Sequence, residues 1–193
     1  MDKMSYREQV QQAQARQAQL DAFNWRFGLP ALSAQWVTLR ELRDSDAPAL
    51  FAMLTTAEAA EFGSPLPRTL EGFRSFIRKV QEERLAGNGF CFAVVPDGYE
   101  DAMGFFQVRQ LEPGFASAQW GFALSPCWGT AVFQGAARAV AEFVFGVVGV
   151  HHLEARSIAA NVRGNAALRK MGSTEETHDD WRQVKVVWGP EFH

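Results

Sequence analysis

The stretch Trp120-Gly121-Phe122-Ala123-Leu124-Ser125-Pro126-Cys127-Trp128-Gly129-Thr130-Ala131-Val132-Phe133 carries the clearest chemical signal in the chain. An extended run stops at Pro126, Gly129 and Ala131 keep the next turn small, and an apolar helix begins at once. Small residues let a ligand approach the backbone, and the unpaired N–H groups of the helix's first turn, with the helix dipole, suit an anion such as a pyrophosphate. The segment lacks the Lys-Ser/Thr of a P-loop and the three glycines of a dinucleotide fingerprint.

A second segment, Asn161-Val162-Arg163-Gly164-Asn165-Ala166-Ala167-Leu168-Arg169-Lys170-Met171-Gly172, follows the next extended run. Where that run lies beside the one ending at Leu124, Asn161 offers an amide to a ligand leaving the first segment, and Arg169 and Lys170 bring cations near its phosphates. The plain alternative is an Asn turn and a solvated basic helix end. His151 and His152 are neighbours on a strand, so they point to opposite faces; with no third ligand in view, no metal is expected. Cys91 and Cys127 read as two buried thiols acting as small hydrophobes.

These segments need a frame to hold them. Ser5 to Ala22 is rich in Gln, Ala, Arg and Glu without Gly or Pro, which predicts a helix; Val10, Ala13 and Leu20 are too sparse to bury it. Residues 1–34 therefore read as a helical extension, either a surface helix, a homodimer contact or a lid packed through Phe23, Trp25 and Phe27, and residues 35–193 as one domain. Trp36 to Leu42 alternates as a strand, and Asp44 or Asp46 can cap a helix through Leu50, Phe51 and Leu54. Thr69 can cap a second helix with Leu70, Phe73, Ile77 and Val80 on its core face. Strands follow at Phe90 to Val95, Met103 to Leu111 and Ala116 to Leu124. Between Trp128 and Val148 the spacing changes to that of a helix buried on much of its circumference. His151 to Ile158 is extended, Asn165 to Met171 forms a short helix ending at Gly172, and Gln183 to Trp188 is a last strand. The order predicts an α+β fold: a mixed, mostly antiparallel sheet with helices on both faces.

Composition narrows the function classes. With 19 Lys and Arg against 22 Asp and Glu in 193 residues, the formal charge is -3, which argues against a nucleic-acid partner. The longest apolar stretch, Val140 to Val150, is broken by Glu142, Gly146 and Gly149, so no membrane span is expected. No secretory signal is visible and cysteines are few, which points to a cytoplasmic setting.

Together the two chemical segments resemble the GNAT acyltransferase superfamily, with the closest likeness to the RimJ/RimL-like branch that acetylates N-terminal amines of ribosomal proteins. The likeness runs from about Trp36 to Trp188 and includes Leu153-Glu154-Ala155-Arg156 and Ala167-Leu168-Arg169-Lys170-Met171-Gly172. It implies acetyl-CoA as co-substrate, with its pyrophosphate on the backbone amides of Trp128, Gly129, Thr130, Ala131 and Val132. The resemblance also places the pantetheine arm in a V-shaped gap between the strands Gly121 to Leu124 and His151 to Ile158. There it bonds the backbone of Phe122, Ala123 and Leu124, with Asn161 and Lys170 as further contacts.

The implied reaction is direct acyl transfer from CoA to an amine, a peptide N-terminus or a small amine. The amine must be neutral to attack, the carbonyl oxygen needs hydrogen-bond donors, and the departing thiolate benefits from a proton; an amide near Ala123 suits the oxyanion. Several positions depart from the branch. Gln119 stands where an acidic residue is common, Gly164 where a Ser can protonate the thiolate, and Leu168 where other branches use Tyr. Ala131 replaces a second glycine, and Gly135 replaces a Glu. Glu154 and His178 are then the expected catalytic candidates for proton transfer. The missing donors also allow a catalytically silent CoA-binding or interaction module of the same fold.

Overall fold

A computed structural model of the chain describes residues 24–54, 66–125, 130–158, 166, 168, 174–177 and 183–188. Runs whose apolar residues alternate form strands: β1 Leu32–Ala34, β2 Val37–Glu41, β3 Gly89–Pro96, β4 Gly104–Gln110, β5 Ser117–Leu124, β6 His152–Ile158, β7 Thr174–Thr177 and β8 Gln183–Trp188. Runs with helical spacing form α1 Ala47–Leu54, α2 Leu70–Ala86 and α3 Thr130–Phe143. Among the described residues the strands make one sheet in the order β1-β2-β3-β4-β5-β6-β8-β7. Every pairing is antiparallel except β5 with β6. That exception follows from α3, the crossover that returns the chain to the same end of the sheet.

The sheet separates two apolar clusters. On one face α3 supplies Val132, Phe133, Ala136, Ala137 and Val140 to a core shared with Phe90, Phe92, Phe106, Trp120 and Leu153. On the other, α1 and α2 bring Leu50, Leu54, Phe73, Ile77 and Val80 against Cys91, Ala93, Phe105 and Ala123. The fold class expected from the sequence, a mixed sheet with helices on both faces, is the one observed.

Helix α2 begins and ends for local reasons. The Gly72 N–H donates to the Thr69 hydroxyl at 3.0 Å, and Gly87 closes the helix at φ 76°, a conformation that suits glycine. Asp46 does more than the expected capping. Its carboxylate accepts from the Arg43 N–H at 2.8 Å and from both Arg40 terminal nitrogens at 2.7 and 2.8 Å, so it ties the start of α1 back to β2.

The described residues before β2, 24–36, are built into the domain. Trp25 is buried against Phe90 and Phe115, and β1 pairs with β2 from Leu32↔Leu39 to Ala34↔Val37. Trp36, expected to begin a strand, instead occupies the two-residue turn at φ 67°. Arg84 fastens this segment from α2: its Nε donates to Glu41 at 2.7 Å and its Nη1 to the Arg26 carbonyl. The helix expected over 5–22 lies outside the described residues. Of the short helix expected at 165–171, Ala166 and Leu168 are described, both helical, with Leu168 buried in the α3-side core.

Helix α3 continues into a π turn, Val144–Val148, that ends at Gly149 with φ 80°. By length and composition residues 131–148 are apolar enough to cross a bilayer, yet half of that window is buried inside the fold. The sequence reading expected no such span. The burial and the contacts of α3 with the sheet explain the apolar run as a core helix.

Candidate active site at the fork between two parallel strands

Strands β5 and β6 stay together for only part of their lengths. Their register runs Ser117↔His152, Ala118↔Leu153, Gln119↔Glu154 and Trp120↔Ala155, and stops there. Beyond that point β5 continues to Leu124 while pairing with β4, from Gly121↔Gln107 to Leu124↔Gly104. β6 continues to Ile158 while pairing with β8, from Arg156↔Lys185 to Ile158↔Gln183. Each strand is held by its outer neighbour and has left its inner one, so the sheet forks above Trp120 and Ala155. Backbone N–H and C=O groups alternate in direction along a strand. Half of those on residues 121–124 therefore point into the fork, where a ligand's amides can meet them as a neighbouring strand would.

The start of α3 sits beside this opening. Phe133 in its first turn is buried and packs on Phe122 at 4.7 Å and Phe106 at 5.9 Å between ring centroids. Phe122 also lies 5.4 Å from Phe106. These three rings fix the first helical turn against the part of β5 that has parted from β6. The first turn contains no acidic residue, so no carboxylate of its own competes with an incoming anion for the dipole.

Alternation assigns the remaining side chains to faces. Leu153 and Ala155 belong to the α3-side core, which turns Glu154 to the face covered by α1 and α2. Ala123 is buried in the α1/α2 cluster, so Gln119 and Gly121 share that face. Glu154 is only 7% exposed and lies opposite Gln119, one pair below the fork. Farther across that face, Arg109 Nε is 3.5 Å from the Glu83 carboxylate. Between them sits the Gln107 amide, whose oxygen, turned toward the guanidinium, accepts from Nε and Nη2 at 2.9 Å each. The α1/α2 face thus changes from apolar at Phe105 and Ala123 to polar at Gln107, Arg109, Gln119 and Glu154.

The structure brings together, around one opening, six of the residues singled out from the sequence: Phe122, Ala123 and Leu124 on β5, and Thr130, Ala131 and Val132 in the first turn of α3. Thr130 is the first residue of that helix. Glu154 stands just below the opening. Trp128, Gly129, Asn161, Lys170 and His178 lie outside the described residues. Gly121, the Glu83, Gln107 and Arg109 group, and the pairing of Gln119 with Glu154 were missed. Gly121 did leave a signal, a glycine interrupting an alternating strand. The others depend on strand register, which sequence spacing does not reveal. Cys91 is buried on the α1/α2 face, and burial pushes its thiol well above the ordinary range, which keeps it protonated and inert. It takes no part in the site.

A family model described as an acetyltransferase (GNAT) domain matches residues 37–174. Several solved structures share the fold. RimJ from Mycobacterium smegmatis, in complex with CoA-disulfide, is 21% identical, with 86% of this chain and 88% of that chain covered and a TM-score of 0.70. A ribosomal-protein-S5-alanine acetyltransferase from Vibrio fischeri is 17% identical, with 84% and 98% covered and a TM-score of 0.72. FdhC, described as a nucleotide-linked sugar GNAT, is 17% identical, with 83% and 90% covered and a TM-score of 0.71. No curated protein matches the chain in sequence. The matched residues run from the first residue of β2 to the first of β7 and enclose both the fork and the start of α3, so the chain belongs to the GNAT acetyltransferase domain family.

Proposed function

We propose that the protein transfers an acetyl group from acetyl-CoA directly to an amine, either a peptide N-terminus or a small amine, in the manner of the RimJ/RimL-like branch. The observation that carries this reading is the fork: two parallel strands that share four residue pairs and then separate beside the first turn of α3. A pantetheine arm has amide groups of its own and fits a strand edge freed in this way. Its hydrogen bonds go to the backbone of Phe122, Ala123 and Leu124. The pyrophosphate goes to the amides of Trp128, Gly129, Thr130, Ala131 and Val132, with Asn161 and Lys170 as further contacts.

In the reaction the neutral amine attacks the thioester carbonyl, the C–S bond breaks, and an amide and CoA thiol result. The backbone near Ala123 supplies a donor as the carbonyl oxygen gains charge. The proton lost by the amine and the one needed by the thiolate can be the same. Glu154, buried on the α1/α2 face one pair below the fork, is the first candidate to relay it, and His178 is the second. Leu168, at the position where other branches carry a Tyr, is a fully buried core residue and donates nothing. That substitution, with Gln119, favours a second reading in which the site holds CoA without turnover. A cytoplasmic location accords with the chemistry, since acetyl-CoA is an intracellular metabolite.

The test is a thermal titration with acetyl-CoA on the parent protein and on G129W. A ligand at a hundred times its Kd stabilises the folded state by about 2.7 kcal/mol, which raises Tm by about 5–10 °C for a chain of this size. The parent protein should shift and G129W should not; equal shifts, or none in either, remove the site. Thiol release with any member of an amine panel then selects the transferase over the silent module.

A further inference from the structure

Among the described residues three glycines lie in strands, Gly89 and Gly104 as the first residues of β3 and β4 and Gly121 inside β5, and described neighbours give two of them a packing reason. A Cβ on Gly89 would stand 2.7 Å from the Val108 carbonyl oxygen, and one on Gly104 would strike the Ala123 carbonyl oxygen. Both positions lie where neighbouring backbone leaves no room. Gly121 is different. Its φ is outside the left-handed range, nothing among the described residues lies within 4 Å of where its Cβ would be, and the residue is exposed. A glycine inside a strand costs stability relative to any residue with a side chain, so neither backbone conformation nor packing against any described residue accounts for this one.

Its position accounts for it. Gly121 is the first residue of β5 beyond the last pair with β6, and it shares a face with Gln119, Ala123 and, directly across on β4, Gln107. This is the α1/α2 face, opposite α3. Above Gly121 the surface is apolar, with Ala123 buried and Phe105 packed 4.9 Å from Phe76; below it are Gln119 and Glu154.

We infer that Gly121 is a specificity-determining residue: its missing side chain leaves the space in which the carbon bearing the acceptor's amine, with any substituent on it, sits as the nitrogen reaches the thioester. The inference rests on the transferase reading. It adds that the size of the substituent tolerated on that carbon is set by the side of β5 at Gly121. A side chain here crowds the acceptor and leaves CoA, on the α3 side, untouched.

The experiment compares the parent protein with G121A and G121V. Calorimetry measures CoA and three conjugates in which the CoA sulfur is joined through an acetyl unit to the N-terminus of a Gly-, Ala- or Leu-headed tripeptide. In the parent, the conjugates should bind at least tenfold tighter than CoA. In G121V that gain should disappear, first for the Leu-headed conjugate, while CoA affinity stays within twofold; G121A should fall between. Both variants should fold, with Tm raised by about 1–4 °C, because a side chain replaces a strand glycine in open space. The inference is overturned if G121V keeps the full gain for every conjugate. It is equally overturned if the parent shows no gain, or if CoA itself weakens in step with the conjugates. Failure of CoA to bind the parent at all would instead overturn the transferase reading.

Discussion

Phe133 joins the two halves of the proposed cofactor seat, and replacing it with Ala separates their effects. The ring is 7% exposed and lies against Phe122 and Phe106. A fully buried Phe→Ala change costs about 3–5 kcal/mol. Half-buried Phe122 beside it can settle into part of the space, which places F133A near the lower end, about 3 kcal/mol, or a fall in Tm of about 6–12 °C. The functional effect should exceed what instability alone explains. Without the ring, the first turn of α3 is no longer held at a fixed distance from the free edge of β5, and acetyl-CoA must order both. An affinity loss of tenfold or more, about 1.4 kcal/mol, is expected. The control is F73A on the opposite face, where Phe73 is fully buried among α1 and α2 residues and truncation costs about 4 kcal/mol. Urea unfolding followed by Trp fluorescence gives the stabilities, and calorimetry at 15 °C, where both variants are folded, gives the affinities. F133A should bind acetyl-CoA weakly while the less stable F73A binds it normally. Equal weakening in both, or normal binding by F133A, would refute the coupling.

Two further outcomes follow from the buried polar groups. R40M should cost about 3–5 kcal/mol in urea unfolding, because it leaves the Asp46 carboxylate, 1% exposed, with the Arg43 amide as its remaining partner among the bonds described; replacing both residues by apolar ones should recover most of the loss, and a single-variant cost under about 1 kcal/mol would contradict this. The Cys91 thiol is held above its unfolded value by burial, so its contribution is intact at neutral pH and is lost as the unfolded chain ionises above pH ~8.5, by up to about 1.4 kcal/mol per pH unit; C91A should show a shallower alkaline decline, and identical slopes from pH 7 to 10.5 would count against it.

What could be read from the sequence is what local chemistry determines. Thr69 and Gly87 bracket α2 because a hydroxyl and a left-handed glycine satisfy helix ends in any surroundings, and the switch from alternating residues to the spacing of Val132, Phe133, Ala136 and Val140 marks α3 just as locally. β1 escaped notice because Leu32-Ser33-Ala34 is too short to show a period; it exists through its pairing with β2 and the burial of Leu32. Trp36 looked like strand because aromatic residues favour strands, whereas the hairpin needed a positive φ at that position. Asp46 was legible as a cap but not as the partner of Arg40 six residues earlier, since the strand and turn between them decide who meets whom. Glu154 shows the same limit: the sequence named it as a proton-transfer candidate, but only the register shows that it lies opposite Gln119 and is buried.

The fork lies beyond local reading for a related reason. Nothing in residues 121–124 or 156–158 says that they fail to pair; both runs are ordinary strands, each fully engaged on its outer side. Separation is a property of where two ladders stop sharing, and only the resemblance of the Trp120 to Phe133 segment to a known family anticipated it. Gly121 is the local trace of that non-local event. A side chain there would touch no described residue and would strengthen the strand, so nothing among the described residues gives a reason for glycine where pairing ends. Stability left unused at one strand position, immediately above the last shared pair, is what a site looks like when its occupant belongs to another molecule.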